Sequence, residues 1–127
     1  MTNRQTTLAF IDRINTHDVE GLAALMSDDH TFIDAHGNQL SGREKMTAGW
    51  RGYFRMFPDY YIEVTEVFED GGKLAMFGFA GGSFQHKESE SWRLPAAWRA
   101  EVKEGRVTLW QVFADTKIPF EIITRNS

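Results

Sequence analysis

Behind Thr2 and Gln5, which stand at the spacing of a capping box, the apolar residues Leu8, Ile11 and Ile14 recur at helical intervals, so residues 2–15 are expected to form an amphipathic helix. Asp18 is placed to cap a second, shorter helix with Val19, Leu22, Ala23, Leu25 and Met26 as its apolar stripe. Residues 29–35 then read as a strand closed by the turn material His36-Gly37-Asn38. Ser41 and Glu44 repeat the capping-box spacing ahead of a third helix, which carries Met46, Trp50, Tyr53, Phe54 and Phe57 and ends at Pro58. Beyond it the period changes to two. Residues 60–69, 73–85, 92–102 and 106–115 read as strands, joined by turns at 69–73, 86–91 and 103–106, and a short apolar tail follows over 118–123.

Helices gathered at the front and strands at the back predict one α+β domain spanning residues 1–127, its helices packed on one face of a bent sheet. Gly78, Gly81 and Gly82 are where that sheet can bend or bulge most cheaply. Along residues 73–82, strand phase puts Met76, Gly78, Ala80 and Gly82 on one face, and side chains this small would leave a hollow. The opposite phase holds Phe77 and Phe79.

Charge and composition narrow the partners. The formal charge of −4 and the absence of a basic stripe argue against nucleic acid. A small hydrophobic ligand fits better. There is no cysteine for disulfide or thiolate chemistry, and no apolar run long enough for a membrane span, so a cytoplasmic protein is expected.

The stretch HTFIDAHG, residues 30–37, is the most informative for chemistry. In an extended strand Asp34 and His36 would share a face, either capping a turn at the surface or lining a cavity in which a carboxylate can take a proton. His30 lies earlier on the same face, His86 sits at a charged hairpin and His17 in the turn between the first two helices. The four histidines have no compact ligand spacing, so neither a metal nor a cofactor is expected.

The order of elements, the pattern Asp18-x-x-Gly21-Leu22-x-x-Leu25-x-x-Asp28-Asp29, the later Asp34-x-x-Gly37 and the late Trp110-x-Val112-x-x-Asp115 together resemble the nuclear transport factor 2-like superfamily, in its SnoaL-like and ketosteroid isomerase-like branch. That resemblance covers nearly the whole chain. It implies a cone-shaped, curved antiparallel sheet wrapped around three N-terminal helices, also described as cystatin-like, with a deep pocket. It places Asp34 where that family keeps its proton-shuttling aspartate, and an apolar surround would raise the pKa of such a base. His36, on the same face of an extended strand, would orient Asp34 or act as an acid opposite it. The resemblance also implies pocket walls from Phe10, Phe32, Trp50, Tyr53, Trp98, Trp110 and Val112, and turns Trp110, Val112 and Ala114 inward. Phe77, Phe79 and Phe113 are left on the convex face, an expected homodimer surface.

Where a ketosteroid isomerase keeps its oxyanion tyrosine this chain has Phe10, and the oxyanion aspartate falls near Trp98. The aspartate that a limonene-epoxide hydrolase carries two after its late tryptophan is here Val112. The function implied is a cofactor-independent isomerase or cyclase acting by proton transfer on a hydrophobic carbonyl compound. The alternatives are a ligand-binding or association module without chemistry, or a dehydratase-like or epoxide hydrolase-like enzyme.

Overall fold

A computed structural model describes residues 1–127. The chain runs α1 (Asn3–Asn15), α2 (Val19–Leu25), β1 (Met26–Ile33), β2 (Gln39–Ser41), α3 (Arg43–Met56), β3 (Tyr61–Asp70), β4 (Lys73–Ser83), β5 (Ser91–Lys103), β6 (Arg106–Ala114) and α4 (Lys117–Arg125). The strands form one sheet in the order β2-β1-β6-β5-β4-β3. Every pairing is antiparallel except β1 with β6, which is parallel and brings the front of the chain against its end. The result is the expected α+β architecture.

The capping box at Thr2 and Gln5 forms as its spacing predicts, and Asp18 accepts from the Gly21 N–H to start α2. Three local expectations are corrected. Met26 belongs to β1 rather than to the stripe of α2, since the strand begins three residues earlier than its alternation suggests. Ser41 does not cap α3. It pairs with Thr31 in the short β2, its hydroxyl 3.1 Å from that of Thr31, while Gly42 at φ +109° makes the helix entry with no side-chain cap. The apolar tail is an amphipathic helix, α4, with Pro119 and Ile122 buried and Ile118 and Phe120 exposed.

Strand phase falls as expected. Leu74, Met76 and Ala80 are buried on β4, while Phe77 on β4 and Phe113 on β6 are each 47% exposed on the outer face. The core row Met76, Trp98, Val112 runs across β4, β5 and β6 in direct register, and Leu74, Ala100, Trp110 forms the next. The sheet bends where register slips. One slip lies between Val64 and Glu66 of β3, opposite Gly78, where a Cβ would stand 1.8 Å from the Glu63 carbonyl oxygen. Only glycine lets β3 approach so closely. The glycines of β4 therefore admit a neighbouring chain and rings. A Cβ on Gly81 would meet the Tyr61 hydroxyl at 2.7 Å and its ring at 2.8 Å, and one on Gly82 the Tyr60 Cα at 3.3 Å. None of these glycines lines the cavity described below, contrary to the expectation from their size.

Candidate functional site

At the end of the sheet where β1 stops and β3 starts, α3 and α4 close over the inner face and leave a cavity of about 370 Å³. This lies toward the small end of the ~300–1,000 Å³ usual for ligand sites. Phe32 comes from β1, Val112 from β6, and Met46, Trp50 and Tyr53 from one face of α3, where their spacing of three and four residues aligns them. Pro119, Phe120 and Ile123 of α4 form the cover, and Tyr60 stands at the entry to β3. Asp34 and His36 line the cavity from the β1–β2 turn.

Of the residues expected to form the site, Asp34, His36, Phe32, Trp50, Tyr53 and Val112 meet at this cavity. Phe10, Trp98 and Trp110 do not line it. All three are at most 1% exposed and fill the core, with the Phe10 and Trp110 ring centroids 4.9 Å apart. Large rings in a small domain serve first to exclude water. Sequence patterning missed Tyr60, Thr116, Phe120 and Ile123. The helical spacing of Pro119, Ile122 and Ile123 was the available signal for α4.

Asp34 is not in the strand. β1 ends at Ile33, and Asp34 opens the turn to Gly37, which takes φ +85°. One carboxylate oxygen accepts from the backbone N–H groups of His36 and Asn38, each at 2.9 Å, and the other from the Asn38 side-chain amide at 3.2 Å. Partial desolvation pushes its pKa upward. The donations from Asn38 and His36, together with the nearby His36 ring, outweigh that, so the net shift is downward. The expected rise in the Asp34 pKa is thereby corrected: the group caps its turn while lining the cavity, and it is firmly ionised at neutral pH. It has no arginine partner, since Arg43 pairs with Asp28 and Arg51 with Glu20.

His36 is exposed, with Nε2 2.8 Å from the Thr116 hydroxyl and its ring 5.5 Å from that of Phe120. It ties the β1–β2 turn to the start of α4. At the far end of that helix, Arg125 pairs with Glu90. The other histidines are elsewhere. His30 is fully buried and donates Nδ1–H to the Val107 carbonyl at 2.7 Å. His17 stacks on Phe54 and donates Nε2–H to the Tyr60 carbonyl, and His86 is exposed at the hairpin. Burial raises the pKa of both Tyr53 and Tyr60, with each other's proximity adding to the effect at Tyr53, so both are neutral phenols. The site thus combines an apolar enclosure, a fixed carboxylate and neutral hydroxyls, an arrangement suited to a small, mostly apolar guest with few polar atoms.

A curved six-stranded sheet carrying helices over a closed end places the chain among the nuclear transport factor 2-like α+β folds. The SnoaL-like domain profile matches residues 7–110, and the chain belongs to that family. No curated protein matches by sequence. Among solved structures, a Jannaschia sp. CCS1 protein assigned by name to the SnoaL-like polyketide cyclases is 17% identical, with 96% of this chain and 91% of that one aligned at a TM-score of 0.83. An epoxide hydrolase of Mycobacterium tuberculosis resembling limonene-epoxide hydrolase is 16% identical, over 95% of this chain and 88% of that one, at a TM-score of 0.80. A hypothetical protein of ketosteroid isomerase-like fold from Catenulispora acidiphila DSM 44928, solved in complex with trimethylamine, is 18% identical, over 89% of this chain and 86% of that one, at a TM-score of 0.78. At such identities these likenesses speak to the fold. No helix is long and apolar enough to cross a membrane.

Proposed function

We propose that this protein binds a small, predominantly apolar carbonyl compound in the cavity and catalyses a proton transfer on it, with Asp34 as the base. The observation that carries this reading is Asp34, its carboxylate held ionised by its hydrogen bonds, in the wall of a mostly apolar cavity. In the step proposed, a C–H bond next to the ligand carbonyl breaks and its electron pair moves toward the carbonyl oxygen. The proton goes to Asp34, which becomes a neutral acid and later returns it to carbon. The three N–H donors favour the carboxylate over the acid, which makes Asp34 a weak base whose turnover is modest. Positioning and the exclusion of water by α4 supply the remaining advantage. His36 has a positioning role, holding α4 down through Thr116.

The same three donors favour a second reading, in which Asp34 only shapes the turn and the cavity binds its ligand without chemistry. One experiment separates the two. Binding of 2-tetralone, followed by methyl NMR of Met46 and Ile123, is expected in the wild type and in Asp34→Asn alike, with isomerisation or exchange chemistry lost only in the variant. Unchanged chemistry in the variant overturns the first reading, and no methyl shift in either protein overturns both.

We further propose that the convex face is covered by a second copy of this chain. Phe77, Ala97 and Phe113 lie in direct register across β4, β5 and β6, and Phe68, 57% exposed, packs edge-on against Phe77. Light scattering is expected to give twice the chain mass, falling to the chain mass in Phe77→Lys.

A further inference from the structure

Tyr53 and Tyr60 meet edge to face across the wall of the cavity, their ring centroids 4.9 Å apart at 89°. Tyr60 is 7% exposed, and its backbone is held on both sides, its N–H donating to the Phe57 carbonyl at 3.0 Å and its carbonyl accepting from His17 at 2.7 Å. Its ring also lies against Trp92. Tyr53 is fixed by its place on α3 and by Phe57, 5.1 Å away between centroids. The third tyrosine, Tyr61, accepts from Arg93 through its hydroxyl.

No group of the chain hydrogen-bonds to the hydroxyls of Tyr53 and Tyr60. They are also not sealed in the protein, unlike the indole N–H of Trp50, which lacks a partner but is closed off. A hydroxyl that reaches a mostly apolar cavity without a partner forgoes its hydrogen bond until something in the cavity provides one. Both groups are neutral phenols, so what they offer first is a proton to an acceptor.

Their place relative to Asp34 follows from the topology. Asp34 leaves β1 and Tyr60 enters β3, at the same end of the sheet but with β6, β5 and β4 between the two strands. The curved sheet brings Asp34 and Tyr60 to one hollow, which Tyr53 joins from α3. A ligand anion would meet the like charge of the ionised Asp34 in the cavity wall, which disfavours it.

We infer that Tyr53 and Tyr60 form a paired donor anchor for a neutral oxygen of the ligand, a ketone or ether oxygen carried on an apolar frame, and so set which molecules the cavity selects. This rests on the reading of the cavity as a ligand site. The phenols orient the ligand by that oxygen, and so set which carbon beside it is turned toward Asp34.

The test compares two probes of nearly equal shape, 2-acetylnaphthalene and 2-ethylnaphthalene, by quenching of tryptophan fluorescence in the wild type, Tyr53→Phe, Tyr60→Phe and the double variant. The wild type is expected to prefer the ketone, with the preference falling about two- to tenfold for each hydroxyl removed while affinity for the hydrocarbon holds. The carbonyl stretching band of the bound ketone should lie lower in the wild type than in the double variant. Equal affinity of the wild type for both probes, or a ketone preference that survives in the double variant, overturns the anchor and leaves the cavity reading intact. Failure of the wild type to bind either probe overturns both.

Discussion

Replacing His30 by asparagine should remove a specific part of the protein's sensitivity to acid. His30 is 0% exposed, donates Nδ1–H to Val107 at 2.7 Å and has no partner for Nε2. Protonating Nε2 would put a charge and an unmatched N–H into the core. Desolvation therefore lowers its pKa from 6.5, opposed by the Val107 hydrogen bond and the charge of Asp29. The unfolded chain takes up the proton near 6.5, and the folded chain only at lower pH. Between those values the unfolded state binds more protons, so stability from this group is complete above pH 6.5 and lost as pH falls below it. The slope is at most one proton, about 1.4 kcal/mol per pH unit. Asparagine can place its amide N–H near the Val107 carbonyl and does not titrate. His30→Asn should cost about 1–3 kcal/mol at neutral pH through lost ring packing, yet show a shallower decline toward about pH 5. Urea unfolding across that range reads both quantities. The same slope in wild type and variant would refute the claim that His30 is held neutral.

Gly78→Ala should lower stability on the order of 3 kcal/mol in denaturant unfolding, because its Cβ would meet backbone that cannot step aside. Gly52→Ala, with nothing within 4 Å in the interior of α3, should raise stability by about 0.5–1 kcal/mol. Asp34→Ala should cost about 1–2 kcal/mol by leaving the His36 and Asn38 N–H groups without their acceptor, whereas Asp34→Asn keeps an acceptor and should melt close to the wild type. Ending the chain after Thr116 removes Phe120 and Ile123 from the cavity and should weaken binding of 2-tetralone, measured by titration.

Periodicity was enough to read α1, α2, α3 and the four later strands, because each buries one face and its apolar residues repeat at that element's own period. It failed at β2, three exposed residues whose only signal is pairing with Thr31, Phe32 and Ile33. It failed again at α4, where Pro119 sits within the first turn, a position a helix tolerates. The candidate site was half legible for a related reason. Asp34 was identifiable by type and position, but its bonds to His36 and Asn38 depend on where β1 stops, a boundary alternation places only loosely. Tyr60 appeared as one residue of an alternating strand. That it reaches the cavity depends on the turn before β3, and nothing local encodes which ring fills the core, as Trp98 does, and which borders the hollow, as Trp50 does.

The most direct measurement is deuterium uptake at the α-carbon of 2-tetralone in D₂O, followed by proton NMR with wild type and Asp34→Asn at matched occupancy of the cavity. Uptake faster than in buffer with the wild type, falling to the buffer rate with the variant, is the expected result. Equal acceleration by both proteins, or none by the ligand-bound wild type, would contradict the role given to Asp34.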